Sequence, residues 1–503
     1  MAKKTRKEKR TIWTMVDRFE GDKVIWMIVL LLVMFSLLTI FSSTPLLALI
    51  EKKDRMAIFS EQVKIELLGL VIIIVLYNIR SIKLFRVLSK YGFLLALTLL
   101  LLLAMRIQTP VVRAISTNEA VRALSFMGFQ VHVFEVVKVI MVMYLAWAVD
   151  TYKQKGFKLT TRLAKLSPKL AFIDNPLWQR IFYLYGPILI TCALILTGGV
   201  SSALFIGCIL YLTILIGGIS IRDVVLPGIV SILFLLGSIG IYKATDGKVF
   251  NRIGTAVTRI TPADDEYIAI LTDTTTLRTE GLTKDQITEE RAKRVKAFDE
   301  AKNKLAQPYS AKIAIHQGGL IGKGPGESTQ RYYTPVMFSD YMYSFILEEY
   351  GLLGGILVLI LYVSLIARGA SVNKYLDDYF AKTAVAGLIV LIAGQAFMHI
   401  AINLEMVPRT GQTLPMISHG NSSFLSFCVA FGVILSFSRA SSRKHKAILA
   451  EEEARVAAEE AEKQRRLAAQ EAERAREQAE REAAEEFAAM AEQFNDSTEP
   501  DIQ

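Results

Sequence analysis

The sequence predicts an all-α polytopic membrane protein with about ten transmembrane helices, a large extracytoplasmic loop between the seventh and eighth, and a charged helical C-terminal tail. Apolar residues make up 52% of the 503-residue chain. Apolar runs of about 17 to 25 residues recur along it, and helices of that length cross the hydrocarbon core of a bilayer. Polar residues concentrate in the N-terminus, one long loop and the tail. The expected regions are therefore 1–23, 24–438 and 439–503.

Ten apolar runs define the expected spans, and the basic residues between them predict their orientation. The spans are expected at roughly 24–41, 63–79, 91–107, 132–148, 181–197, 202–218, 223–242, 342–366, 383–404 and 422–438. Lysine and arginine accumulate after the second, fourth and tenth spans, as they do before the first. Because cytoplasmic loops carry this excess, both termini are expected in the cytoplasm. The loops then expected outside are 108–131, 243–341 and 405–421.

Two long polar segments lie outside the expected spans. The outward loop 243–341 contains a charged stretch, of which 285–305 is expected to be helical; a solvated spacer without chemistry is the alternative. In the tail, residues 447–492 are rich in Ala, Glu and Arg, and pairs such as Glu462 and Arg466 at i,i+4 predict a solvated helix. A docking site for a cytoplasmic partner is the other interpretation of the tail.

The polar groups suited to chemistry concentrate between Tyr309 and Ser423. Within this stretch, the glycine-rich segment 322–328 superficially resembles a phosphate-binding loop. It lacks the Gly-Lys-Ser/Thr ending of a nucleotide-binding loop and is expected outside the cell, which argues against a nucleotide site. Its backbone amides and Lys323 could still hold a pyrophosphate at the membrane surface.

Charged residues inside expected spans are costly, so they are candidates for function. Glu135 and Lys138 are spaced i,i+3 and can pair on one helix face; a structural ion pair is the alternative. Glu348 and Glu349 lie near the outer end of the eighth span. Adjacent helical residues point about 100° apart, so at most one of these carboxylates is expected to face a given cavity. Interfacial carboxylates that reach water are the alternative, and His399 is expected to be a packed residue.

A set of short motifs in this order and spacing resembles the SEDS family (shape, elongation, division, sporulation) of ten-span peptidoglycan polymerases. The motifs are Lys312-Ile-Ala-Ile, the glycine-rich run Gly318 to Ser328, Ser339-Asp340-Tyr341, Glu348-Glu349-Tyr-Gly351, Pro408-Arg-Thr-Gly411, Leu414-Pro415, Ser418 and Ser422-Ser423. The run from Asn118 to Arg122, with Gln130, Glu135 and Lys138, is similar to another family pattern. The likeness extends from about the second span to the tenth.

The resemblance implies polymerisation of lipid II, an undecaprenyl-pyrophosphate-linked disaccharide-peptide. A sugar hydroxyl attacks the anomeric carbon of a second substrate, and the lipid pyrophosphate leaves. This reaction needs a base for the hydroxyl and positive charge for the leaving group. The family is credited with an essential aspartate in the outward loop before the eighth span. Its counterpart is expected to be one of Asp264, Asp265 and Asp299, with the first two preferred.

The resemblance also implies substrate-binding residues. Candidates for pyrophosphate contacts are Arg259, Lys323, Arg331 and Arg409, while Glu135 and Lys138 would shape the cavity. The remaining candidates come from the family motifs, namely Ser328, Asp340, Glu348, Glu349, Ser422 and Ser423. No metal site is expected, and a divalent cation is the one cofactor left open.

Within the family, the Gly-Pro-Gly-x-Ser run followed by Arg331 resembles the FtsW-like division branch more than the RodA-like elongation branch. That branch implies a multi-pass protein of the inner membrane at the division septum. The implied partners are lipid II, a single-span class B penicillin-binding transpeptidase, other divisome proteins and membrane lipid, with no nucleic acid. Two departures stand out: His419 and Asn421 replace the usual tyrosine and glycine, and the run 197–202 replaces a Pro-Asp-Leu-Gly-Thr-like motif.

Two other classes of function are kept beside the polymerase. A lipid-linked precursor flippase, or another transporter, would be expected to show repeated halves and broken helices at midplane, and no internal repeat is visible. A non-catalytic divisome scaffold would suit the charged tail and the altered motif. Replacement of the outward-loop aspartates separates the scaffold from the enzyme, because the scaffold does not need them.

Overall fold

The computed structural model describes residues 20–117, 120–126, 129–154, 156–166, 168–245, 264–272, 284–334 and 336–496. The chain divides into two compact units, Met1–Ser442 and Arg443–Gln503. The expected boundary between membrane region and tail, at 438/439, lies close to this division.

The first half of the first unit contains eleven α-helices and three β-strands among the described residues. They are α1 (Lys23–Ser43), α2 (Pro45–Glu51), α3 (Arg55–Asn78), α4 (Ile82–Lys90), α5 (Gly92–Ala104), β1 (Val112–Thr117), β2 (Ala120–Phe126), β3 (Phe129–His132), α6 (Val133–Gln154), α7 (Lys158–Leu166), a 3₁₀ turn (Pro168–Asp174), α8 (Pro176–Arg180), a π-helical turn (Ile181–Tyr185), α9 (Gly186–Leu196), α10 (Val200–Ile216) and α11 (Ile221–Ala244).

The second half contains five α-helices among the described residues, two in the long loop and three after it. They are α12 (Asp264–Thr272), α13 (Lys284–Gly318), a 3₁₀ turn (Gln330–Tyr332), α14 (Met342–Lys374), α15 (Tyr379–Asn403) and α16 (Asn421–Asp496), which continues into the second unit. Each of the ten expected spans coincides with one of the helices described in the two halves.

Not all ten helices could cross a membrane alone. Among the described residues, six stretches are long and apolar enough, and the pair α3–α4 adds a seventh if it is one bent span. Helix α5, with 13 residues, rises only about 20 Å, which is shorter than a typical hydrocarbon core. Helix α6 is long enough but carries Glu135, Lys138, Asp150 and Lys153. The count of ten spans stays a prediction.

A three-stranded antiparallel sheet in the order β1-β2-β3 occupies the loop expected at 108–131. Val112 pairs with Phe126, and Ala123 pairs with His132. The strict all-α prediction was therefore wrong at this point. The strands are short, and adjacent apolar residues, Ala114 with Ile115 and Ala123 with Leu124, interrupt the alternation of apolar and polar residues by which a strand is recognised from sequence.

Two segments of the 243–341 loop are α-helical, α12 and α13. The helix expected at 285–305 is confirmed, and it extends as α13 to Gly318. Near its C-terminal end Ala311 and Ala314 are buried, and α13 packs against α14. The C-terminal part of α13 is therefore joined to the bundle, whereas residues 291–296 are exposed and the alternative of a solvated spacer stays open for the charged stretch.

The core of the first unit forms where α6, α10 and α15 cross. Gly387 of α15 marks the closest approach. A Cβ atom added there would lie 2.8 Å from Val142 Cγ1 of α6 and 2.9 Å from Thr213 Cγ2 of α10. A small residue at such a crossing lets helix backbones approach closely, which favours helix association in membranes.

The second unit is the remainder of α16, described to Asp496. Residues 446–490 are all exposed, so the predicted solvated helix is confirmed. Arg466 Nη2 donates to Glu462 Oε1 at 2.7 Å, as its i,i+4 spacing predicts.

Candidate functional site

Helix α14 is broken at Gly351, whose φ is 65° and ψ is −169°. The break leaves helix carbonyls and amides without their usual partners, and the loop after α13 takes them. Lys323 N donates to Glu348 O at 2.9 Å, and Gly324 N donates to Glu349 O at 3.0 Å. In return, the amide of Leu352 donates to the carbonyl of Gly319 at 3.0 Å. The glycine-rich loop is therefore inserted into the helix as part of its hydrogen bonding.

Close packing explains why glycines occupy this insertion. Gly322 has a φ of +89°, and a Cβ atom there would lie 2.3 Å from Glu349 O. A Cβ atom on Gly351 would lie 2.4 Å from Gly322 N. Neither the backbone conformation nor the space allows another residue without displacement.

The Glu348 side chain is fully buried and is surrounded by donors from the same loop. Lys323 Nζ donates to its Oε1 at 2.7 Å, and the amide of Thr329 donates to the same atom at 3.0 Å. Ser328 Oγ donates to Oε2 at 2.5 Å. A buried carboxylate with this many donors is held in one position.

Glu349 is also fully buried, and it links the loop to α1. Ser42 Oγ donates to its Oε1 at 2.5 Å, and Gly326 N donates to the same oxygen at 3.1 Å. Arg331 lies 3.7 Å from this carboxylate and donates through Nη1 to Ser42 O at 3.1 Å. The expectation that at most one of the adjacent glutamates faces a given cavity stays a prediction, while the alternative of carboxylates that reach water is wrong, because both are buried. The loop wraps the helix at its break and reaches both side chains.

The structure thus brings five of the predicted residues together, but they bind one another. They are Lys323, Ser328, Arg331, Glu348 and Glu349. Lys323 keeps 23% of its side chain exposed, while both carboxylates have no exposed surface. The cluster can therefore fix the position of the loop at the membrane surface, with Lys323 at its edge.

A second polar cluster lies in the bundle, where α6, α15 and α16 meet. Lys138 is 3% exposed, and its Nζ donates to Glu135 Oε1 at 2.7 Å and to Gln395 Oε1 at 2.6 Å. Ser423 Oγ donates to Glu135 Oε2 at 3.0 Å. Gln395 Nε2 donates to Thr413 O at 3.1 Å. The predicted i,i+3 pair is therefore present, inside a network that joins three helices and the 404–420 loop.

An apolar cavity of about 220 Å³ lies beside this network. Its lining includes Val136 and Val139, which share α6 with Glu135 and Lys138, and Ser422, the neighbour of Ser423. Ser422 Oγ donates to Gln130 O of β3 at 3.2 Å. The unpredicted sheet therefore forms one wall of the cavity.

Three other predicted residues, Arg409, Asp340 and Asp299, lie outside both clusters. Arg409 Nη2 is 3.9 Å from Glu405 Oε1, and Asp340 Oδ1 accepts from Ser339 Oγ at 3.3 Å. Asp299 is exposed on α13. Asp264 and Asp265 begin α12, and Arg259 lies outside the described residues.

His399 is fully buried, as predicted for a packed residue. Its Nδ1 lies 2.7 Å from Gln412 O, and Tyr343 N donates to Nε2 at 3.3 Å. It joins α15 to α14 and to the 404–420 loop.

Sequence reasoning missed a chain of polar contacts that ends at His419. Ser36 Oγ and Gln62 Nε2 donate to Glu66 Oε1, at 2.8 Å and 3.0 Å, and His419 Nδ1 lies 2.9 Å from Gln62 Oε1. Burial lowers the pKa of His419 below its ordinary value, so the ring is neutral at pH 7. Gln62 and Glu66 at i,i+4 in an apolar helix are the signal that could have indicated this contact.

Gln395 was also missed, because a single polar residue in an apolar run carries no spacing signal, and Thr413 was missed within the polar 404–420 loop. Among the described residues, no group of three or more His, Cys, Asp or Glu side chains is arranged to hold a metal ion.

Comparisons with known proteins agree with the helical architecture. A family model described as cell cycle protein (FtsW, RodA, SpoVE) matches residues 22–443. The probable peptidoglycan glycosyltransferase FtsW of Caulobacter vibrioides is 41% identical over 126 residues, which is 25% of this chain and 32% of that protein. Stage V sporulation protein E of Bacillus subtilis is 36% identical over 127 residues, 25% of this chain and 35% of that protein. The chain thus spans about a third of the length of these curated relatives.

A solved structure described as "Structural coordination of polymerization and crosslinking by a peptidoglycan synthase complex" has a similar fold. The TM-score is 0.53, the sequence identity is 17%, and the match covers 84% of this chain and 98% of that one.

Proposed function

Because the chain belongs to the FtsW/RodA/SpoVE (SEDS) family of cell cycle proteins, we propose that it is a peptidoglycan glycosyltransferase acting in cell division. The protein is a multi-pass membrane protein. The proposed reaction joins lipid II units at the outer face of the inner membrane. Both termini then lie in the cytoplasm, and the protein acts at the septum.

The observation that carries this proposal is the buried Glu135–Lys138 network beside an apolar cavity. Ionisable groups at membrane depth are costly and tend to mark substrate paths. A polyprenyl-linked pyrophosphate presents an apolar chain, which the apolar cavity matches in kind, while the Glu135–Lys138 pair would shape the site. Asp264, Asp265 and Asp299 remain the candidate bases, while Lys323, Arg331 and Arg409 remain candidates for the leaving group.

The proposed partner is a single-span class B transpeptidase. The structural neighbour is described as a synthase complex that coordinates polymerisation with crosslinking, which supports this choice.

The test is polymerisation of labelled lipid II by the purified full-length protein, alone and with a candidate transpeptidase. Asp264→Asn, Asp265→Asn and Asp299→Asn are compared with Asp285→Asn, a matched change in the same outward loop. We expect one of the first three to lose at least about 100-fold in rate, as removal of a general base does, while the control stays near wild type.

Loss of polymerisation activity in only one of the three aspartate variants would identify the catalytic base. Glycan formation that survives in all three variants would refute these base assignments. Absence of product from well-folded wild-type protein, with and without the transpeptidase, would instead favour the scaffold or the flippase.

A further inference from the structure

Helix α4 turns sharply away from the axis of α3. It follows α3 after a short break between Asn78 and Ile82, and the two helix axes differ by 112°. If α3 crosses the bilayer, α4 must run close to the membrane plane. The first turn of α4 is capped by Ser81, whose Oγ accepts from Leu84 N at 3.3 Å.

One side of α4 is fixed to the bundle. Phe85 is 4% exposed, and its ring packs edge-on against Phe437 at 5.2 Å between centroids. Arg86 binds Asp378 at 2.6 Å and lies 3.2 Å from Asp150. These contacts set the rotation of the helix about its axis.

The other side of α4 is apolar and uncovered. The side chains of Leu84, Val87, Leu88 and Tyr91 are 44% to 61% exposed and fall on one face at helical spacing. Apolar residues near the end of α3, among them Val71, Ile74 and Val75, are exposed as well. A patch of this kind is costly in water but is accommodated by acyl chains.

A basic edge separates these two sides. Lys83 and Lys90 are exposed, and at 100° per residue they lie within about 20° of each other on the helix. Lysines beside a lipid-facing surface extend their ammonium groups toward the headgroups.

A second basic amphipathic helix lies at the same end of the bundle. The ion pair between Arg86 and Asp150 places the C-terminal end of α6 beside α4, and α7 begins a few residues later. Helix α7 exposes Lys158, Leu159, Arg162, Lys165 and Leu166. This end of the bundle therefore combines apolar and basic groups, as the headgroup region of a leaflet requires.

We propose that α4 is an interfacial helix that binds the anionic headgroups of phospholipids through Lys83 and Lys90, with Leu84, Val87, Leu88 and Tyr91 inserted among the acyl chains. The surface is separate from both polar clusters, so its role does not depend on the proposed catalysis.

The test uses the full chain in phosphatidylcholine nanodiscs that contain a diazirine-bearing phosphatidylglycerol, with photolabelling of α4 read by peptide mass spectrometry. We expect unlabelled phosphatidylglycerol to compete for labelling and phosphatidylcholine not to. In Lys83→Gln/Lys90→Gln, the preference for phosphatidylglycerol should fall about five-fold for each lysine removed.

The matched control is Lys293→Gln/Lys296→Gln, the same charge change on exposed residues of α13. It should leave labelling of α4 unchanged. Wild-type protein in 0.5 M salt should also lose its preference for phosphatidylglycerol, because salt screens exposed charges. This measurement does not depend on the folding of a variant. Equal competition by the two lipids, or a preference that survives both the lysine changes and salt, would overturn the proposal.

Discussion

At the residue scale, Lys138 shows how a charged side chain is stabilised inside an apolar bundle by its polar partners. Its ammonium group contacts Glu135 from the same helix and Gln395 from a neighbouring one. The carboxylate in turn accepts from Ser423. Removal of one partner from such a network leaves the others buried without compensation, which costs more than the intact pair contributes.

We therefore expect Lys138→Met, which keeps most of the side-chain volume, to lower the free energy of unfolding by about 3 to 5 kcal/mol. Unfolding of the purified protein by denaturant, followed by tryptophan fluorescence, measures this loss. The double variant Glu135→Gln/Lys138→Met should recover most of the stability, because it removes both charges.

Lipid II polymerisation by that double variant distinguishes a structural pair from a site for substrate. Restored stability without restored activity would indicate that the charges serve the reaction. Recovery of both stability and activity would indicate that the ion pair serves only the packing of the helices.

At the scale of elements, the joint between α13 and α14 depends on two glycines. Gly322 and Gly351 let the loop and the broken helix exchange hydrogen bonds at a distance that excludes a Cβ atom. This exchange also fixes the loop residues that bind Glu348 and Glu349. The position of Lys323 is therefore a consequence of backbone packing.

The chain offers a matched pair of variants for this joint. Gly322 and Gly326 have φ of +89° and +86°, but a Cβ atom on Gly326 would meet nothing within 4 Å. Alanine at either position costs about 1 to 2 kcal/mol for the left-handed conformation. Gly322→Ala should cost about a further 1 to 3 kcal/mol, because it also forces the loop away from Glu349 O. Equal losses of unfolding free energy in the two variants would contradict the close approach.

At the scale of the whole molecule, the two units have different compositions. The first buries a large apolar core, whereas residues 446–490 of the second are all exposed. A solvated helix of this kind is supported by local hydrogen bonds and i,i+4 ion pairs such as Glu462 with Arg466. It needs no tertiary partner to form.

Deletion of residues 447–503 should therefore leave the unfolding temperature of the first unit and the rate of lipid II polymerisation unchanged. Differential scanning fluorimetry and the polymerisation assay check these expectations. A division defect in cells that express the shortened but active protein would support a docking role for the tail. A shortened protein that is unstable when purified would show that the tail belongs to the fold.

The positions of the apolar helices could be predicted from the sequence, because an apolar run is a local property of its own residues, whereas the short helices α2, α4, α7, α8 and α12 were not predicted. Runs of apolar residues located the ten helical segments, and i,i+4 pairing located the charged tail. The family motifs also indicated the two regions in which buried polar clusters form. The resemblance rests on short motifs, however, and did not decide which aspartate of the outward loop is the catalytic one.

Contacts between distant residues were decided only by the tertiary structure. Gln395 joins Lys138 across 257 positions of the chain, and Ser42 joins Glu349 across 307. Neither contact has a spacing that the sequence could show. The insertion of the glycine-rich loop into α14 likewise depends on backbone partners from another part of the chain. Local sequence patterns thus determine most helices of this protein. The polar clusters are determined by long-range hydrogen bonds, because each polar group in an apolar interior must find a partner.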